Sequence, residues 1–142
     1  MQLFITHDQL ETMRKHVEFC APLEACGLLA GNNELVSAVY PITNQAQSPV
    51  RYRMDPIGQL HAFNQMEADG LELLGIFHSH PSGPELPSET DIVEAAYPVV
   101  QIIWSRSNSQ KKEPTIQSAS SWHVRGFWIE NGKSLEITLQ IT

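Results

Sequence analysis

Two cysteines, Cys20 and Cys26, are all that this chain of 142 residues contains. They are too few for a disulfide framework or a four-cysteine zinc site, and they read as two buried, reduced packing thiols. Positive charge is also scarce: 9 Lys and Arg stand against 16 Asp and Glu, for a formal net charge of −7. No basic cluster is longer than Lys111-Lys112, so the cationic face of a nucleic-acid binder is missing. An anionic membrane surface is disfavoured for the same reason. No apolar run reaches the roughly 18 residues of a spanning helix. The opening MQLFITHDQLE has no basic stretch followed by an apolar one, which predicts no signal peptide and therefore a cytoplasmic protein. Repeats and linkers are absent too, and length alone predicts one domain over residues 1–142. The 42% hydrophobic content is enough to fill its core.

What is present alternates between strand and helix patterns. QLFIT (2–6) reads as a short strand. Asp8 followed by Glu11 has capping-box spacing for a first helix, whose apolar stripe is Leu10, Met13, Val17 and Phe19 and which ends near Pro22. ACGLLAG (25–31) reads as a buried strand, turning at Gly31-Asn32-Asn33 into its hairpin partner ELVSAVYPI. The polar stretch 43–56 is a loop in which residues 51–54 could form a short edge strand. Asp55 then caps a second helix with Pro56 in its first turn, Leu60, Phe63 and Met66 on one face, and Gly70 after its end. LELLGIF (71–77) is the central strand, SETDIVEAAYP the third helix and VVQIIWS another buried strand. Residues 107–120 form a polar excursion. The chain closes as a hairpin with Asn131-Gly132 as a type I′ turn signal. The sum predicts an α/β or α+β fold, a curved mixed sheet flanked by helices.

One stretch, GIFHSHPSGPELPSETD (75–91), concentrates the chemistry. Two histidines one residue apart on a strand point to the same side, so one ion can reach both His78 and His80. Asp91, on the first turn of the helix opened by Ser88, supplies a third ligand, and three prolines stiffen the bend between them. Zinc accepts this donor set, and three protein ligands leave one position for water, as in catalytic sites. Each residue also has an ordinary account: H-x-H occurs by chance on surfaces, and Ser88 with Asp91 resembles a capping box. His7, His16, His61 and His123 have no such company and read as surface or helix-face residues. Hydrolysis of a peptide bond further needs a base. Glu24 is the acid nearest a buried strand, although composition alone reads it as a solvated loop glutamate.

His78-Ser79-His80-Pro81, six residues, Ser88, two residues and Asp91 resemble the H-x-H-P-x6-S-x2-D signature of the JAMM (MPN+) metalloproteases. PLEACGLLAG resembles that family's upstream glutamate segment, and RYRMDP and ELLGIFHSHPSG its short prokaryotic members. The resemblance implies a single MPN domain with a curved mixed sheet and a cytidine-deaminase-like architecture. It implies one Zn2+ per chain on His78, His80 and Asp91, with Glu24 as general acid/base and Ser88 donating to the oxyanion. Because Ser88 also caps a helix, its two roles are expected to compete or alternate. The substrate implied is a ubiquitin-like or sulfur-carrier protein cut after its C-terminal Gly-Gly, its tail adding as a strand to an edge at residues 48–54. The chain is too short for the insertions that give larger relatives chain-linkage selectivity. A homodimer, a partner needed for activity and a redox role for Cys26 are left open. The competing readings are a non-haem iron oxygenase on the same triad, a peptidoglycan-directed peptidase, and an MPN domain that serves mainly as a binding scaffold. A zinc deaminase is excluded, since P-C-x-x-C is lacking and the H-x-E at His16-Val17-Glu18 has no cysteine pair to complete it.

Overall fold

In this computed structural model the described residues are 1–95, 97–106 and 122–142. Strand β1 (Gln2–Ile5) leads through α1 (His7–Cys20) to β2 (Cys26–Asn32), β3 (Leu35–Ile42) and α2 (Pro56–Ala68). Then follow β4 (Glu72–His80), α3 (Glu89–Val93), β5 (Val100–Arg106), β6 (Trp122–Glu130) and β7 (Lys133–Ile141). The strands lie in the order β1-β3-β2-β4-β5-β6-β7 and the sheet closes on itself. It is mixed: β4 and β5 run parallel, β2 is antiparallel to both β3 and β4, and β1 is parallel to β7 and touches β3 at the single pair Phe4↔Leu35. The predicted curved mixed sheet is therefore present, with curvature enough for closure.

Both faces of β2 and β4 are covered, which explains their nearly unbroken apolar runs. Leu29, Phe77, Ile102 and Trp104 pack with Met13 and Val17 of α1 in one layer. Cys26, Leu28, Ile42 and Ile76 pack with Ala62 and Met66 of α2 in the other. Gly27 is required here, because a Cβ would meet the Phe77 ring and lie 2.6 Å from the Tyr40 carbonyl oxygen.

Several local expectations shift. The capping box of α1 is formed by Thr6 and Gln9, not Asp8 and Glu11. Helix follows β1 immediately, so the last extended residue is the one that caps. Phe19 is 87% exposed, because two residues beyond Val17 is about 200° around the helix. On α2 the buried positions are Ala62 and Met66, Phe63 packs beside them and Leu60 faces out. The β2–β3 turn falls at Asn33-Glu34, both at positive φ, one residue later than predicted. Asn131 and Gly132 take the positive φ values of the expected type I′ turn. Residues 51–54 form no strand, and Asn44↔Met54 is an isolated bridge. α3 stops at Val93, short of the predicted run. The 107–120 excursion lies outside the described residues. Among the described residues no helix is long and apolar enough to cross a membrane.

Candidate metal centre

Strand β4 runs on through both histidines, so pleat alternation sends His78 and His80 to the α2 side of the sheet and Ser79 to the α1 side. Residues 81–87 carry the chain to Ser88, the N-cap of α3, whose hydroxyl oxygen accepts the Asp91 N–H at 3.0 Å. Asp91 Oδ2 in return accepts the Ser88 N–H at 2.8 Å. The same oxygen lies 3.2 Å from His78 Nε2 and 3.1 Å from His80 Nε2, and the two Nε2 atoms are 3.1 Å apart. The capping box of α3 and the third donor of the cluster are thus one carboxylate.

The three donor atoms fit one cation. Metal–ligand bonds of ~2.0–2.2 Å in a tetrahedron separate neighbouring donors by ~3.3–3.5 Å, close to the spacing here. His80 Nδ1 lies 2.9 Å from the Pro84 carbonyl oxygen, which as an acceptor fixes the proton on Nδ1 and leaves Nε2 with a lone pair. The His78 Nε2 and the Asp91 carboxylate oxygen are turned to the same point, an arrangement that suits a positive charge between the three donors. Burial alone would raise Asp91, but in the metal-free chain the facing His78 and His80 imidazoles and the Ser88 N–H hold its carboxyl far below the usual range. Burial lowers His78. His80 is also opposed by burial, yet the Asp91 carboxylate and the Pro84 carbonyl raise it overall.

Glu24 is no solvated loop residue: it is 4% exposed. It shares a small cavity with His80 and Ser88, walled by Val50 and residues 82–84. Burial pushes its carboxyl up to about 7, with the Asp91 charge adding and His80 opposing. Its backbone is held on several sides. The Glu24 N–H donates to the Ser48 carbonyl at 2.9 Å, and the Asn44 amide donates to the Glu24 carbonyl at 3.0 Å. The next residue, Ala25, donates its N–H to the Ser79 hydroxyl at 2.8 Å and accepts the Ser79 N–H at 3.0 Å.

Ser88 caps α3 through a lone pair of its oxygen, so its O–H stays free to donate. The predicted competition between capping and oxyanion binding does not arise. Tyr52, which sequence reasoning treated only as part of an edge, stacks on His78 with ring centroids 4.7 Å apart and planes 29° apart. An aromatic between two arginines in a polar loop was the only signal for it. Cys26 points into the α2 layer with its thiol donating to the Ile42 carbonyl, and burial pushes the thiol up to about 12. That is a packing cysteine. His16, read as a surface or helix-face residue, turns inward, with Nε2 3.1 Å from the Cys26 carbonyl oxygen.

Residues 6–124 match the family described as prokaryotic homologs of the JAB domain. A protein of Thermus thermophilus named "Probable TtuB-protein conjugate cleaving protease" is 44% identical over 103 residues, 72% of this chain and 69% of its own. A desampylase of Pyrococcus furiosus is 36% identical over 110 residues, covering 77% of this chain and 78% of its own. A solution structure of a Desulfitobacterium hafniense protein superposes with a TM-score of 0.81 at 33% identity, covering 100% of this chain and 93% of that one.

Proposed function

The chain belongs to the prokaryotic JAB-domain family, and from that membership we propose that it is a cytoplasmic zinc metallopeptidase of one domain. It cleaves the isopeptide or peptide bond after the C-terminal Gly-Gly of a ubiquitin-like or sulfur-carrier protein. The single observation that carries the reading is a buried glutamate, Glu24, sharing a cavity with the ligand histidine of a three-donor cluster. The names of the Thermus and Pyrococcus relatives, a probable TtuB-protein conjugate cleaving protease and a desampylase, support the substrate class.

His78, His80 and Asp91 would hold the ion. When bound, it supplies Lewis-acid chemistry, polarising the scissile carbonyl and making water more acidic. Glu24 takes the proton of the attacking water and returns it to the leaving amine. Burial raises the Glu24 carboxyl and a nearby cation lowers it, two opposing influences that suit a group which must both take and return a proton. The free Ser88 O–H donates to the oxyanion, a contact typically worth ~2.7–4 kcal/mol in the transition state. Among the described residues no hydrogen bond reaches the Tyr52 N–H or C=O. The residue lines a groove with Thr90 and Asp91, where an extended tail can pair by main chain.

The test is to incubate the purified protein with a small β-grasp protein whose Gly-Gly terminus is joined to a lysine amine, with and without chelator, and weigh the products. Two fragments parted after the second glycine, lost with chelator and restored by zinc, are expected. An intact substrate in the presence of one zinc per chain refutes the proposal. Iron with oxygen-dependent turnover would replace it with oxygenase chemistry.

A further inference from the structure

Asn44 lies in the loop after β3, is 8% exposed, and was read from sequence as ordinary loop. A side-chain amide has two N–H donors and an oxygen with two lone pairs, and all four are used. Nδ2 donates to the Glu24 carbonyl at 3.0 Å and the Arg51 carbonyl at 3.1 Å. Oδ1 accepts the Ala46 N–H and the Arg53 N–H, each at 2.9 Å. The bond to Ala46 is the Asx turn expected of asparagine in a loop. A turn needs nothing more, yet the other three bonds reach residues 7, 9 and 20 positions away.

Those three bonds end on the catalytic surroundings. One holds the carbonyl of Glu24. The other two hold the residues on either side of Tyr52, the ring stacked on His78. We infer that Asn44 is a positioning residue that fixes the base Glu24 and the aromatic wall Tyr52 in one frame around the metal ligands. The inference deepens the metallopeptidase reading and rests on it for the role of Glu24. Main-chain bonds close the base of the loop independently, Gln45 N–H to the Arg53 carbonyl at 2.8 Å and Asp55 N–H to the Thr43 carbonyl at 3.0 Å. Loss of the side chain therefore loosens the frame and leaves the loop in place.

Two variants test this. Asn44→Ala removes all four bonds. Asn44→Asp keeps the acceptors for Ala46 and Arg53 but sets an oxygen against the Glu24 and Arg51 carbonyls, and it carries the comparison if the alanine variant fails to fold. On a Gly-Gly substrate, Asn44→Ala is expected to lower kcat roughly 100-fold, the scale of a misplacement near 1 Å, and to raise KM. Asn44→Asp is expected to lower kcat with a smaller change in KM, because Arg53 stays held. In the metal-free protein, amide exchange at Glu24 and Arg53 should quicken by roughly tenfold or more while the amides of β4 and β5 keep their protection. Exchange that is unchanged, or faster throughout the sheet, overturns the inference, and so do parental kcat and KM in a folded variant. If the parent itself cleaves no Gly-Gly tail, the metallopeptidase reading fails, and the exchange pattern still decides whether Asn44 is the brace.

Discussion

Replacing Glu24 by glutamine should make the metal-free protein more stable above neutral pH while abolishing cleavage. The Glu24 carboxyl moves from an ordinary value of 4.5 up to about 7 in the folded chain. The folded state therefore holds a proton that the unfolded chain has already released between those two pH values, and stability falls as pH rises through that window. The full difference corresponds to a ceiling of ~3.4 kcal/mol at ~1.36 kcal/mol per pH unit. Glu24 lines a cavity open to water, and screening there reduces the penalty to about 1–2 kcal/mol. Glutamine keeps the shape and never ionises. Its advantage should be absent below pH 4, open between 4.5 and 7, and stay constant above, where it raises Tm by roughly 3–8 °C for a domain of this size. Binding of the metal should shrink the gap, because a nearby cation favours the carboxylate. Thermal denaturation of parent and Glu24→Gln at pH 4, 6 and 8.5, with metal content measured in parallel, is the assay. Curves that coincide at every pH, or a less stable glutamine variant at pH 8.5, would refute the buried, proton-holding Glu24 on which the base assignment stands.

Three further outcomes are expected. His80→Ala should lose the metal on dialysis, read by elemental analysis, and one zinc per chain retained would remove His80 from the ligand set. Tyr52→Pro takes a main-chain donor from the groove and removes the ring stacked on His78, so KM for a Gly-Gly substrate should rise several-fold and kcat should fall; an unchanged KM would place the tail elsewhere. Ser79→Ala strands the buried Ala25 N–H and should cost about 1–3 kcal/mol in urea denaturation with metal content kept, whereas parental stability would show that water or the backbone takes over that bond.

The three-donor cluster was legible because its geometry is local. Strand alternation aligns His78 with His80, and a capping box places Asp91 on the first turn of α3. Glu24 was legible only through family resemblance. Its burial depends on Asn44, Ser48 and Ser79, which are 20 to 55 residues away in sequence, and no local pattern encodes such contacts. Tyr52 was half seen, as part of an edge, because stacking on His78 is a tertiary fact. The α1 stripe breaks at Phe19 for a simpler reason: that side chain lies one residue short of the next position in phase with Val17. The capping error at Asp8 came from starting the helix two residues late, an ambiguity that hydrogen-bonding side chains at Thr6, Asp8, Gln9 and Glu11 all permit.

The hydroxyl of Ser79 changes what the letter x stands for in H-x-H. A pattern search treats that position as filler between two informative neighbours. In this chain it clasps Ala25 from behind the sheet, tying the strand that carries the imidazoles to the segment before β2 that carries the acid. Only a side chain that is short and can accept a hydrogen bond keeps the clasp, which makes the unnamed letter of the motif as selective as the letters around it.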